Sequence, residues 1–389
     1  SEIVKSNQFL FPVYEESRPF WYIRLGVWLY DILAGKWNID KHQSLSKEQT
    51  LKLVPQLKQD GLKGGILYSD CLVRDSELVL SVILTAIKNG AISLNYVQAE
   101  TPVKKSGKWQ LNWKDTLSKR SGSISGKCIV TCTGVWTDDY LNHAKKRIRP
   151  TKGIHIAIPF SKCPLPFSVV LPSKDGRILF ANQRGDHLYI GTTDTDFSGD
   201  PEDVKADEND INYILDKLNF LFPEACIIRE DIHSMWAGLR PLVQDDGKPA
   251  NLSRRDVIDY SGNGLVKVYG GKLTTFRKMA IRVSEKLKTR LRPSKPKFDY
   301  DSLTIDQAIF DSGNLKEDIV NYINYTMPMT LIDLLDRRMD LTRFGMDNGK
   351  KLASSAAIII KEKLALDNNH IEEQVNAYND HLNSVISKG

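Results

Sequence analysis

Cysteine is scarce and unpatterned in this chain: five residues in 389, namely Cys71, Cys128, Cys132, Cys163 and Cys226, with no Cys-x-x-Cys pair. That excludes a disulfide framework and a cysteine-built zinc site, and it fits free thiols in a reducing compartment. Cys128 and Cys132 are expected as core thiols of an apolar strand, and no metal site is expected. No apolar run reaches the roughly 18 residues that a membrane-spanning helix needs, and no signal peptide is visible. Both the Gly-x-Gly-x-x-Gly dinucleotide fingerprint and the P-loop spacing are absent from the sequence. The basic excess is small and scattered: 54 Lys and Arg against 48 Asp and Glu, a net charge of +6. Without a basic stripe, a nucleic-acid face is not expected. A weak pull toward anionic ligands or a membrane surface is.

What is present is ordinary globular material, 41% hydrophobic and 26% charged. At roughly 100–200 residues per domain the length suggests two or three domains. An aromatic-rich segment after Pro19, Phe20–Tyr30, predicts a helix with one strongly buried face, packed through Trp21, Leu25 and Trp28. With Arg18 and Arg24 nearby, the same segment could instead be a membrane contact. Ser46–Val54 reads as a helix stopped by Pro55. Gly64–Asp70 reads as a strand, and Ser76–Asn89 as a helix ended by Gly90. Further strands are predicted at 94–98, 108–113 and 127–133. From Gly153 the pattern turns to β, with strands at 154–160, 168–171, 178–181 and 188–191; Asp175-Gly176 and Gly185-Asp186 supply turns. A helix over 207–221 follows. A strand over 265–269 then runs through Gly270-Gly271 into a helix over 273–289. After a basic linker, 290–297, helices are expected at 304–310, 316–322, 330–339, 350–364 and 371–385.

Five short segments carry residue types suited to chemistry. In Lys152-Gly153-Ile154-His155 the histidine can be a general base or a structural strand residue. Gly191-Thr192-Thr193-Asp194 is a polar turn. Gly238-Leu239-Arg240-Pro241 holds an arginine on stiff backbone, suited to a phosphate or carboxylate as well as to an ordinary ion pair. Ser253-Arg254-Arg255-Asp256 is an anion site or a solvated loop. Gly270-Gly271-Lys272-Leu273-Thr274-Thr275 is a strand-to-helix turn whose N–H groups suit an electron-rich ligand.

Taken in order, with Tyr68-Ser69-Asp70-Cys71, Thr133-Gly134-Val135-Trp136 and Leu334-Leu335-Asp336-Arg337-Arg338, these segments resemble the FAD-dependent glycerol-3-phosphate dehydrogenase family over nearly the whole chain. The resemblance implies an α/β fold: the remainder of an FAD-binding Rossmann-like domain, an inserted mainly antiparallel substrate sheet and a C-terminal helical cap. Residues 1–70 would be lead helices and a substrate-domain segment. Residues 71–150 and 262–292 would belong to the FAD domain, 151–261 to the substrate sheet and 293–389 to the cap.

The implied reaction is oxidation of sn-glycerol 3-phosphate to dihydroxyacetone phosphate, with FAD as hydride acceptor and quinone next. An oxidase using oxygen and a non-catalytic interaction module are the alternatives. The resemblance makes His155, Arg240 and Lys272 catalytic and turns Arg240, Arg255 and Lys272 toward the substrate. It assigns Thr133, Gly134, Gly270, Gly271, Lys272, Leu273 and Thr274 to the flavin. It further implies a cytoplasmic protein at the inner face of the inner membrane, with peripheral membrane contact and a possible homodimer. The family's opening Gly-rich strand is not in the sequence, so a truncated form with impaired flavin binding is expected. Ala181-Asn182-Gln183-Arg184 departs from the family's Pro-Trp at that place.

Overall fold

A computed structural model describes residues 3–16, 19–143, 145–173, 176–244, 255–260, 262–292, 305, 310–364 and 369–386. Asp175, Ser253, Arg254, most of the basic linker and most of the helix expected at 304–310 lie outside those residues. In chain order the elements begin with β1 (Val4–Tyr14), α1 (Phe20–Ala34), β2 (Gln43–Ser46), α2 (Lys47–Leu53), β3 (Leu62–Val73) and α3 (Asp75–Lys88). A small antiparallel sheet follows: β4 (Val97–Ala99), β5 (Val103–Lys105), β6 (Lys108–Asp115) and β7 (Ser121–Gly126). Next come β8 (Ile129–Thr131), α4 (Thr137–Tyr140), β9 (Ile148–Pro159), β10 (Ser168–Pro172), β11 (Ile178–Arg184), β12 (His187–Gly191) and β13 (Thr195–Asp196). They lead to α5 (Glu208–Leu221), β14 (Ser234–Val243), β15 (Asp256–Tyr260), β16 (Leu265–Gly270) and α6 (Phe276–Leu291). The C-terminal helices are α7 (Leu315–Thr326), a π-helical stretch (Ile332–Arg338), α8 (Leu341–Phe344), α9 (Lys350–Leu364) and α10 (Asn369–Val385).

Nine strands form the main sheet, in the order β13-β9-β12-β11-β10-β1-β3-β2, with β14 also paired to β9. All pairs are antiparallel except β1–β10, so the sheet draws its strands from both the start and the middle of the chain. Local sequence explains several elements. Ser46 caps α2 by accepting from Gln49 N (3.2 Å), and the Gln49 side chain returns to Ser46 N (2.8 Å), a reciprocal capping box. Asp207 caps α5 in the same sense, accepting from Asp210 N at 3.0 Å.

Along β9 the alternation of a strand puts Ile154, Ile156 and Ile158 on one face, each 0% exposed. They pack with Ile211, Ile214 and Leu218 of α5 in the main core. Lys152 also turns to α5, paired with Asp207 and with Asp210 (2.7 Å), which makes it a tie between sheet and helix. The odd-numbered residues of the strand, Gly153 and His155, therefore face the other way.

That other face is met by the C-terminal helices. Ser234 Oγ donates to the Arg343 carbonyl (2.7 Å), His233 Nε2 lies 3.0 Å from the Gly345 carbonyl, and Arg184 pairs with Asp340. These helices have their own core, including Leu331, Leu334, Leu335, Ala356, Ile360 and Tyr378. A third, smaller core, Val266, Val268 and Leu287, joins β16 to α6. Here β8 and β16 run parallel, Val266 against Val130.

Two expectations need correction. The aromatic helix α1 exists but buries none of its residues: Trp21 is 65% exposed and Trp28 51%. The apolar period marked a helix; it did not specify what would cover it. Cys128 packs half-buried against the core of Val266, Val268 and Leu287, but Cys132, at the other end of the short β8, is exposed, as are Cys71 and Cys226; Cys163 is buried. Residues 1–70 hold α1 and α2 beside β1, β2 and β3, which join the main sheet.

Candidate active site

The cleft starts from β9 and its two neighbours. On β14, Trp236 lies opposite His155, Gly238 opposite Gly153 and Arg240 opposite Thr151. Residues opposite one another in a ladder share a face, so Trp236 and Arg240 look out on the same side as His155. On β12, Gly191 lies opposite His155. A β-carbon at Gly191 would collide with the imidazole (2.7 Å from Cγ) and with the Ile154 carbonyl (2.7 Å). A β-carbon at Gly153 would meet Thr192 Oγ1 and the Arg240 guanidinium (2.5 Å from Nη2). The two glycines thus leave room for the ring and the guanidinium to lie flat against the sheet.

His155 is half-buried among aromatic rings. Trp236 stacks on it, 5.2 Å between centroids and 13° between planes, and Tyr189 lies 6.2 Å away. Phe344, from α8, sits edge-on to Trp236 (5.7 Å) and Tyr189 (5.9 Å). Burial, then the charges of Arg240 and Arg343, lower the His155 pKa to about 4. The imidazole is therefore neutral at pH 7 and able to accept a proton. Of the two cations acting on it, one comes from the C-terminal helices, a source that the sequence did not single out.

Arg240 is oriented by the polar turn. Its Nη2 donates to Thr192 Oγ1 (3.0 Å) and to the Thr193 carbonyl (3.2 Å), and its Nη1 faces Asp194 Oδ1 (3.4 Å). The Thr193 hydroxyl in turn accepts from Ile154 N (3.1 Å). The Gly191–Asp194 segment is thus the support for Arg240 rather than a separate site.

The strand-to-helix turn reaches this region through the end of β14. Gly270 (φ +64°) is so close that a β-carbon there would meet the Arg255 carbonyl (2.7 Å), Val243 Cγ2 (3.0 Å) and the Pro241 carbonyl (3.6 Å). Arg255 immediately precedes β15, whose Asp256 pairs with Gly270 and with Arg282. So Gly270 lies against Arg255 and against the Pro241–Val243 end of β14, the segment that follows Arg240. Lys272 is exposed two residues on.

A second glycine turn lies beside the first. The parallel strands β8 and β16 end at Thr131 and Gly270, and each runs into a left-handed glycine: Gly134 (φ +56°) and Gly271 (φ +94°). Nothing lies within 4 Å of a β-carbon position on Gly134. Thr133 Oγ1 is 3.0 Å from Thr137 Oγ1, which holds that turn in shape. Leu273 and Thr274 are exposed in the 3₁₀ turn before α6. The second turn is closed in: a β-carbon at Gly271 would meet the Met279 side chain (2.5 Å from Cε) and Asp256 Cβ (3.3 Å). Glycine turns at the carboxyl ends of adjacent parallel strands, one feeding a sixteen-residue helix, stand where α/β sheets bind dinucleotides. The residues present fit such a group.

Sequence reasoning missed Trp236, Tyr189, Phe344 and Arg343. The signal for the first was there: Trp236, Gly238 and Arg240 alternate at the period of a strand. No local signal could place Phe344 or Arg343, which reach the sheet only through the packing of the C-terminal helices.

The profile of the family described as FAD dependent oxidoreductase matches residues 3–277. The aerobic glycerol-3-phosphate dehydrogenase of Bacillus subtilis is 38% identical over 274 residues, 69% of this chain and 49% of its own length. That of Staphylococcus haemolyticus is 38% identical over 277 residues, 69% and 50%. The chain thus spans about half the length of these curated relatives. Among solved structures, the glycerol-3-phosphate dehydrogenase of Bacillus halodurans complexed with FAD has the same fold, with TM-score 0.78 at 23% identity, covering 98% of this chain and 82% of that one. On the extent of the profile match, with the paired glycine turns and the cleft beside them, the chain belongs to the FAD-dependent oxidoreductase family.

Proposed function

We propose that this protein oxidises sn-glycerol 3-phosphate to dihydroxyacetone phosphate. The observation that carries the reading is the neutral His155 on one sheet face with Arg240, beside Arg255 and the glycine turns. The similarity to proteins named for this reaction supports it. A phosphate monoester carries close to two negative charges near neutral pH. The Arg240 fork suits its oxygens, with Arg255 and Lys272 as further cations at the same mouth. Phosphate held there leaves the secondary hydroxyl toward His155, whose unprotonated ring nitrogen takes the hydroxyl proton. The rings of Trp236, Tyr189 and Phe344 exclude water from that transfer. Thr133, Gly134 and Gly270–Thr274 would hold FAD, which would supply an acceptor for the hydride from the carbon bearing that hydroxyl. Lys272 and the N–H groups beside it would favour negative charge on that group.

Quinone is the onward acceptor in this reading, and α1 is where the protein meets a membrane. Eleven residues, Phe20–Tyr30, hold one charge, Arg24, and include Trp21, Tyr22, Trp28 and Tyr30, all exposed. A helix that presents Trp21, Tyr22, Leu25, Trp28, Leu29 and Tyr30 to solvent, with Phe20, Ile23 and Val27 half-buried, suits an interface whose aromatic rings sit at headgroup level. Among the described residues no helix is long and apolar enough to cross a membrane.

Turnover of the FAD-loaded protein tests the reading. Glycerol 3-phosphate with a soluble quinone should yield dihydroxyacetone phosphate, and glycerol should be turned over poorly. Equal rates with oxygen as sole acceptor would replace quinone by oxygen. No dihydroxyacetone phosphate with any acceptor would refute the proposed reaction.

A further inference from the structure

Part of the surroundings of His155 does not belong to the sheet. Trp236, stacked on the imidazole, also carries the Arg343 guanidinium, whose carbon lies 5.2 Å from the indole centroid. Arg343 is on α8 and is held firmly. Its Nε lies 2.9 Å from Asp336 Oδ1, and its Nη2 donates to Asp336 Oδ2 at 3.2 Å. Asp336 is buried, and its Oδ2 also lies 3.1 Å from His381 Nε2 on α10. The Arg343 carbonyl accepts from Ser234 Oγ, two residues before Trp236. One hydrogen bond and the close charge contact at Nε hold the guanidinium against the carboxylate. The histidine, the buried acid, the arginine, the indole and the imidazole thus form one continuous run of contacts from α10 to β9.

We propose that Arg343 is a positioning residue for His155: acting from the helical cap through Trp236, it holds the imidazole in place and in its unprotonated form. Two features separate this from a purely structural ion pair. The Asp336 carboxylate lies within the helices, between Arg343 and His381, yet the arginine extends across the boundary onto the sheet's indole. And the two cations acting on His155 come from different parts of the fold, Arg240 from β14 and Arg343 from α8. The groups acting on His155 are Trp236 and Arg240 of β14, Tyr189 of β12 and Arg343 of α8, with Phe344 of α8 edge-on to Trp236 and Tyr189. Asp194 stands behind Arg240 and Asp336 behind Arg343, so each cation is partly offset by its own carboxylate. The downward shift of His155 under burial, Arg240 and Arg343 agrees with this arrangement. The catalytic consequence rests on reading His155 as the base: a competent base then requires a docked cap.

The test needs neither flavin nor turnover, so its outcome is separate from that of the proposed reaction. Histidine ring resonances of the chain are followed by NMR between about pH 7 and 4.5, the span over which ordinary imidazoles protonate. The His155 signal is assigned by its loss in His155→Gln. His155 should stay largely neutral at about pH 5 in the wild type, while exposed imidazoles are charged. Arg343→Met should raise its protonation constant roughly three- to tenfold, about half a unit to one unit in pKa. Arg343→Lys, which keeps the charge, should restore most of the wild-type behaviour. An unchanged His155 titration in Arg343→Met, with Arg240→Met raising it in parallel spectra, would overturn the proposal. Should Arg343→Met fail to fold because Asp336 is left buried and unpaired, the pair Arg343→Gln with Asp336→Asn removes both charges and gives the same reading.

Discussion

Arg240→Met separates a substrate-binding arginine from a structural one. The methionine keeps the apolar stem and removes the fork. Three contacts go: the donations to Thr192 Oγ1 and to the Thr193 carbonyl, and the approach to Asp194 at 3.4 Å. The Asp194 side chain is only 8% exposed, so the substitution takes a cation away from a nearly buried carboxylate. Hydrogen bonds to charged groups are worth about 1.5–3 kcal/mol, and a loss of stability near the lower end is expected, since 3.4 Å is a long contact. Adding Asp194→Asn should recover most of that loss by removing the carboxylate's charge. Activity should not recover with it. One charge-assisted bond to phosphate, at about 1.5–3 kcal/mol, corresponds to roughly ten- to a hundred-fold in kcat/KM. Thermal unfolding and steady-state kinetics on wild type, single and double variants give the two readings side by side. The double variant should melt near wild type, lose ten- to a hundred-fold with glycerol 3-phosphate and lose little with glycerol. Equal losses for the two substrates in a double variant of normal stability would show that Arg240 shapes the cleft without binding phosphate.

Further outcomes are expected from the same geometry. His155→Gln should lower kcat by about 10²–10⁴-fold with a much smaller change in KM, because a base acts mainly in the transition state; a change confined to KM would remove that role. Gly191→Ala, whose β-carbon meets the His155 ring and the Ile154 carbonyl, should cost about 1–3 kcal/mol of stability and disturb the imidazole; a variant of wild-type stability and titration would contradict the packing described here. His155, His187 and His233 are all held below the ordinary imidazole pKa, chiefly by burial. The unfolded chain therefore takes up protons before the folded one, and stability should fall as pH drops below about 6.5. His187→Gln should flatten that fall, and an identical slope would refute its source. Trp21→Ala with Trp28→Ala should leave the melting temperature nearly unchanged, since both rings face solvent, while reducing sedimentation with vesicles of mixed neutral and anionic lipids by about tenfold or more; unaltered vesicle binding would exclude α1 as the contact.

Much of the molecule was legible where local pattern and tertiary packing agree. α2, α5, β10, β16 and α9 follow from period, caps and turn residues. The elements that went unread are those whose sequence carries a breaker for a tertiary reason. β1 contains Pro12 and a continuous apolar run, because it lies between β10 and β3 and is buried on both faces toward its end. β14 contains Gly238 and Pro241, tolerated because it pairs on one side only, with β9. The site divides along the same line. His155 and Arg240 stand on a ladder whose alternation can be counted, and the glycine turns are marked by composition. Arg343 and Phe344 follow about a hundred residues after Arg240, and nothing local in Leu341–Phe344 indicates contact with Trp236. α1 is the reverse case. Its pattern promised a buried face, yet among the described residues its cover is partial: Phe20, Ile23 and Val27 are half-buried and none of its side chains is fully buried.

The central claim is that this cleft delivers electrons from sn-glycerol 3-phosphate to bound FAD, and the reductive half-reaction tests it most directly. The FAD-loaded protein is mixed with substrate without oxygen or quinone, and the visible absorbance of oxidised flavin is followed in time. Glycerol 3-phosphate should bleach it at a rate that saturates with concentration. Glycerol should bleach it far more slowly, and His155→Gln should slow the bleaching by glycerol 3-phosphate by about 10²–10⁴-fold. A flavin that stays oxidised with glycerol 3-phosphate, or that is bleached equally well by glycerol or by an amino acid such as glycine, would contradict the account.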